Sequence, residues 1–203
     1  MRVLVACERS GTVRNEFLIK GHDAWSCDLY PSRGGDFHHY RQDVEPLLRQ
    51  EWDMVIAHPP CTYLCNSGVR WLAGNEKRWA DMVAATEFFR KCLDANASMV
   101  CVENPIMHGE AARRVGQRYT QIIHPSEFGS PEKKSTCLWL KGLPPLVPTC
   151  VVRPTADSIH RMPPGRGRAY QRSITFLGIA QAMAEQWGGI DAAAFHADVQ
   201  AAR

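Results

Sequence analysis

Short apolar runs alternate with amphipathic stretches from the N-terminus to about residue 140. This pattern predicts an α/β domain built on a mostly parallel sheet flanked by helices. The runs Val3–Ala6, Ala24–Asp28, Met54–Ala57, Met99–Val102, Gln121–His124 and Thr136–Leu140 read as strands, and a weaker one precedes Asp43. Helices are expected at Thr12–Ile19, Val44–Arg49, Lys77–Leu93, Glu110–Arg118 and Ser173–Trp187. In the third of these, Met82, Ala85, Phe89 and Cys92 recur at spacings of three and four, the stripe of a core-facing helix.

Two stretches break the pattern. Residues 58–75 follow a proline-cysteine turn, carry Asn66-Ser67-Gly68, and are expected to form a loop over the site. Residues 142–172 are rich in proline and arginine (Arg153, Arg161, Arg166, Arg168, Arg172) against the single acid Asp157. They read as a basic surface excursion within a single domain spanning residues 1–190. The alanine-rich residues 191–203 form a tail.

Composition changes this picture little. A 203-residue chain with 45% hydrophobic and 22% charged residues has the make-up of an ordinary globular domain. A net charge of +3 permits a nucleic-acid partner without demanding one. With no membrane-length apolar run and no signal-peptide pattern, a cytoplasmic protein is expected. Of the eight cysteines, Cys7, Cys27, Cys92, Cys101 and Cys137 sit in apolar segments and read as small hydrophobes. The Cys61-x3-Cys65 spacing, with Cys137 and Cys150, hints at zinc, but no second close pair accompanies it, and no metal site is expected.

The chemistry concentrates at two strand ends. Asp53–Ala57 runs into His58-Pro59-Pro60-Cys61, and Ser98–Val102 runs into Glu103-Asn104-Pro105. Parallel α/β sheets bind ligands at such edges. A thiol held on a rigid turn beside N–H groups or positive charge is a nucleophile. A carboxylate at a buried strand end is expected to have a raised pKa and to hold a proton near neutrality. Taken singly, each motif also fits a structural turn or a helix cap. Together they suit attack on an electrophilic ring with proton assistance.

Pro-Pro-Cys followed by Glu-Asn-Pro, in that order between a first-strand loop and a late Gly-x-Pro segment, resembles the DNA cytosine-5 methyltransferases. The short form is similar to stand-alone enzymes of bacteriophages, for which restriction-modification or protection is the expected setting and the bacterial host cytoplasm the expected location. The resemblance runs over most of residues 1–187. It implies a Rossmann-like S-adenosylmethionine-dependent methyltransferase fold and covalent attack by Cys61 on C6 of cytosine. It further implies that Glu103 engages N3, that Asn104 and Pro60 brace the turn, and that the target base flips out of the duplex. For the cofactor it points to Ala6, Glu8, Gly11, Asp28, Asp43, Pro59 and Ser173, with Thr175 nearby. The first loop, Ala6-Cys7-Glu8-Arg9-Ser10-Gly11, departs from the family's glycine-rich form.

For the substrate the resemblance points to Lys134 and Thr136, which stand where the family carries arginines, and the basic excursion offers Arg166 and Arg168 for phosphates. The usual recognition domain is missing, its place taken by residues 142–172. Two alternatives stay open: a cytosine-modifying enzyme acting on a free nucleotide, on RNA or with a modified methyl donor, and a non-catalytic DNA-binding relative. A cysteine hydrolase using His58 is more distant. DNA is the expected partner, with no membrane.

Overall fold

The computed structural model describes residues 1–69 and 71–190; the expected tail at 191–203 lies outside them. Seven strands form one sheet: β1 (Arg2–Ala6), β2 (Asp23–Asp28), β3 (His39–Arg41), β4 (Trp52–Ala57), β5 (Ala97–Asn104), β6 (Gln121–Ile123) and β7 (Thr136–Lys141). Their order is β3-β2-β1-β4-β5-β7-β6. Strands β1 to β5 pair in parallel, and β7 runs antiparallel to both β5 and β6. This is the mostly parallel α/β sheet that the alternation predicts, in the Rossmann-like form that the resemblance implies. No helix among the described residues is long and apolar enough to cross a membrane.

Alternation along the strands divides the core into two layers. Val3, Val5, Met54, Ile56, Met99 and Cys101 pack on α1 (Thr12–Ile19) and on α8 (Leu177–Gly188) through Phe17, Ile179, Met183 and Trp187. The intervening Leu4, Val55, Ala57, Val100 and Val102 face the other layer. There they meet α2 (Glu45–Leu48), α4 (Glu76–Leu93) and α5 (Gly109–Val115) through Leu48, Phe89, Cys92 and Ala111. Met82, Phe89 and Cys92 of the expected stripe on α4 are fully buried.

Two expectations change, and a third gains detail. The helix read from Ser173 is two helices, because Ile174 and Phe176 are extended: α7 (Arg168–Ser173) ends before α8 begins, and Ser173 belongs to the former. The stretch after Cys61 is not wholly loop, since a helical turn joins Cys65 N–H to Cys61 O and α3 (Asn66–Val69) follows. Residues 142–172 are tied down by backbone hydrogen bonds: Gly129 N–H to Cys150 O, Val152 N–H to Ser126 O and Lys133 N–H to Ala156 O. They also contain the short α6 (Ser158–Arg161).

Arg14 on α1, only 1% exposed, was not anticipated. Its guanidinium donates to Ser26 Oγ (3.0 Å), Gly34 O (2.7 Å) and Gly35 O (3.1 Å), fastening the β2–β3 loop to α1. That loop lies so close that a Cβ on Gly34 would sit 2.3 Å from Ser10 O. Arg14→Met should strand the Gly34 carbonyl, leave Ser26 Oγ with His39 Nδ1 alone, and cost about 1–3 kcal/mol, the scale for one stranded group. The midpoint of urea unfolding measures this, and a loss below about 0.5 kcal/mol would show the guanidinium to be dispensable.

Candidate active site

The strand order reverses between β1 and β4, and crevices open at the C-terminal ends of strands at such switch points. His58 N–H donates to Ala6 O (2.9 Å), so the turn after β4 continues the sheet before it bends away. Pro59 is buried and Pro60 exposed. Asn104, fully buried at the end of β5, donates from Nδ2 to Pro59 O at 3.0 Å. The turn is therefore braced through the Pro59 carbonyl, while Pro60 restricts its backbone from outside.

Glu103 does not stand beyond its strand. β5 continues through it because β7 pairs alongside, Glu103 opposite Leu138 and Asn104 opposite Cys137. That pairing brings the start of β7 to the acid. Burial acts to raise the Glu103 pKa, but the His58 imidazole, the Lys134 ammonium and the Thr136 hydroxyl outweigh it, and the carboxyl is held below its ordinary range. The expected raised value is thus reversed by three donors that converge from β4 and β7. Lys134 is held by donating to Arg172 O (3.3 Å) and lies 5.7 Å from the Phe176 ring centroid. Glu103, Lys134, Thr136, Ser173, Thr175 and Phe176 line one cavity.

Cys61 and Cys65 lie one helical turn apart, and the hydrogen bond that their thiols can share couples their ionisation. That bond, then burial, pushes Cys61 up, whereas Lys134 acts to lower it. The same bond, helped by the Ser67 hydroxyl (3.1 Å from Cys65 Sγ), brings Cys65 down to about 5. The two shifts run in opposite directions: Cys61 holds its proton more firmly, and Cys65 gives its own up more readily. The expectation that Cys61 itself ionises most readily is corrected in this way: of the two thiols, Cys65 is the one that is lowered. The sequence signal was the x3 spacing, which drew attention to metal instead. At pH ~6, between the lowered Cys65 value and an ordinary thiol, iodoacetamide should label one cysteine quickly in the wild type. Cys65→Ala should lose that fast phase, and equal labelling of the two proteins would contradict the shared proton.

The expected cofactor residues divide into two groups. Asp28 ends β2 and accepts Tyr30 N–H (2.9 Å), and Asp43 follows β3 and accepts Glu45 N–H (3.0 Å). Both lie at the C-terminal edge, beside the exposed side chains of Leu29 and Tyr30. Two acceptors beside uncovered apolar surface fit ribose hydroxyls and a purine amine. The first loop is turned inward instead. Glu8, 3% exposed, accepts Val13 N–H (2.7 Å) and Arg14 N–H (3.2 Å) and so satisfies the N-terminus of α1. Gly11 is packed under Arg14 and Gly34. Ala6 is fully buried, with its carbonyl in the sheet. Cys7 takes φ 58°, the left-handed conformation that suits glycine.

Ser173 reaches the Glu103 cavity, although its hydroxyl donates to Tyr170 O (2.8 Å). Arg166 is exposed, and Arg168 donates to Met162 O (2.8 Å) within its own segment. The structure does not bring these two arginines to the thiol or the acid. Arg9, unanticipated, lies over the rings of Tyr30 (5.1 Å) and Tyr170 (5.3 Å), joining α7 to the first loop.

No protein-family model and no curated protein matches the chain. Among solved structures, the crystal structure of a Spodoptera frugiperda DNMT2 triple mutant is similar over 77% of this chain and 56% of that one, at 14% identity and a TM-score of 0.37. A likeness this slight carries no weight for activity or substrate. The case for function rests on the strand ends.

Proposed function

We propose that the protein is a cytosine-5 methyltransferase acting on DNA through a covalent Cys61 adduct. The observation that supports this best is the convergence at adjacent strand ends of a thiol pair after β4, an ionised acid on β5 and a lysine before β7. Cytosine is a poor electrophile, and attack at C6 calls for a thiolate together with proton assistance at N3. Cys61 passes its proton to Cys65 and bonds to C6. Glu103 engages N3 and the adjoining amine, so the ring can accept the electron pair. Lys134 and Thr136 hold the acid and face the ring in the same cavity. Asn104 keeps the turn in place through Pro59 O. S-adenosylmethionine, held by Asp28 and Asp43, supplies the methyl group when bound. Loss of the C5 proton and departure of Cys61 from C6 then restore the enzyme.

A second reading, a cytosine-containing substrate other than duplex DNA, is favoured by one observation. Residues 142–172 are stitched to residues 125–133, and Arg168 bonds within its own segment. Mass spectrometry of nucleosides from a bacterial host, with and without expression, tests both. New 5-methylcytosine in DNA supports the first reading; its absence from DNA with appearance in RNA or free nucleotides supports the second.

A further inference from the structure

On the basis of the function proposed above, we propose that His58 is the positioning residue that supplies the proton Glu103 presents to the cytosine ring. The imidazole Nδ1 lies 3.3 Å from Glu103 Oε2, with the two side chains only 8% and 18% exposed. Its other nitrogen, Nε2, is buried and has no hydrogen-bond partner among the described residues. A proton on this ring therefore has one place to go, the carboxylate. An unpaired buried polar atom costs roughly 1–3 kcal/mol, and an apolar side chain would fill the position without that cost.

An ionised Glu103 cannot give N3 a proton until it receives one. Of its three donors, the imidazole is the one whose nitrogen lies 3.3 Å from Glu103 Oε2 and whose ring is suited to general acid–base transfer. In the step, the Nδ1–H bond of the imidazolium breaks and an O–H bond forms on Glu103. The acid then gives a proton to N3, leaving a carboxylate beside a neutral imidazole. When Cys61 leaves the product, N3 returns the proton. The titratable groups around the pair are Cys61 and Cys65 on the turn, Cys101 on β5, and Lys134 and Cys137 on the β7 side. Cys7 and the inward-turned Glu8 lie at the neighbouring end of β1.

Two measurements on the full chain separate this assignment from the function beneath it. In single turnover on cytosine-containing duplex DNA, the wild-type rate should fall as pH rises and the shared proton is lost. His58→Gln should be about 100-fold slower, within the range for proton assistance, with DNA affinity unchanged and that fall absent. His58→Asn serves if the glutamine variant is unstable. Equal rates and pH profiles in wild type and variant overturn the proposal and leave the proposed function standing. Should the wild type transfer no methyl group, the function fails, and nitrogen-15 NMR of labelled histidine decides the shared proton alone. The His58 Nδ1 resonance should shift in Glu103→Gln as its partner is replaced, and an unchanged Nδ1 resonance overturns the pairing.

Discussion

Cys61→Ala is expected to abolish methyl transfer, with a loss of about four orders of magnitude or more, the scale seen when a covalent enzyme loses its nucleophile. The other thiols near the site are placed differently. Cys65 lies one helical turn on, and Cys101 and Cys137 are buried in the sheet. The variant should keep its fold, because Cys61 is only partly buried and the turn is held by Asn104 and the two prolines. Stability within about 1 kcal/mol of wild type would confirm that the loss is chemical. Full activity in Cys61→Ala would end the covalent mechanism.

Glu103→Gln carries the second large effect. The amide keeps the size of the side chain but can neither carry a negative charge nor pass on a proton. Turnover should fall by roughly 10²–10⁴-fold, the usual contribution of proton transfer in the transition state. The same change should register in stability, and with a definite sign. Because the Glu103 pKa is lowered in the fold, its ionised form stabilises the protein above the ordinary glutamate value of ~4.3. That contribution is lost as pH falls through the lower, folded value. Glu103→Gln should therefore be less stable than wild type at pH 7, and the gap in urea midpoint should close on acidification below pH ~4. A gap that is constant with pH would mean that the carboxylate charge contributes nothing to folding.

Much of the sheet was legible because its strands are short, apolar and bounded by turns. The boundaries of α1 agree with the sequence pattern, and β5 ran two residues further than its apolar run because pairing with β7 carries the polar Glu103 and Asn104 into the ladder. The break between α7 and α8 was not legible: Ile174 and Phe176 fit a helix locally, and only their extended backbone separates the two segments. At the site, Cys61, Glu103, Asn104 and Lys134 stood out as a motif order, and the structure gathers them. What sequence could not supply was direction. Glu8 read as a loop acid facing a ligand, yet its carboxylate turns back onto α1. The direction of the Glu103 shift depended on donors 45, 31 and 33 residues away, His58, Lys134 and Thr136. Arg14 gave no signal at all, since a lone arginine on a short amphipathic helix usually faces water.

The most direct test is a trap. Fluorine at C5 of the target cytosine cannot leave as a proton does, so a covalent intermediate cannot resolve. Incubating the protein with S-adenosylmethionine and DNA containing 5-fluorocytosine should yield a denaturant-resistant protein–DNA adduct. Peptide mapping should place it on Cys61, and Cys61→Ala should form none. Turnover of ordinary cytosine DNA without any such adduct, or an adduct mapped to another residue, would contradict the account.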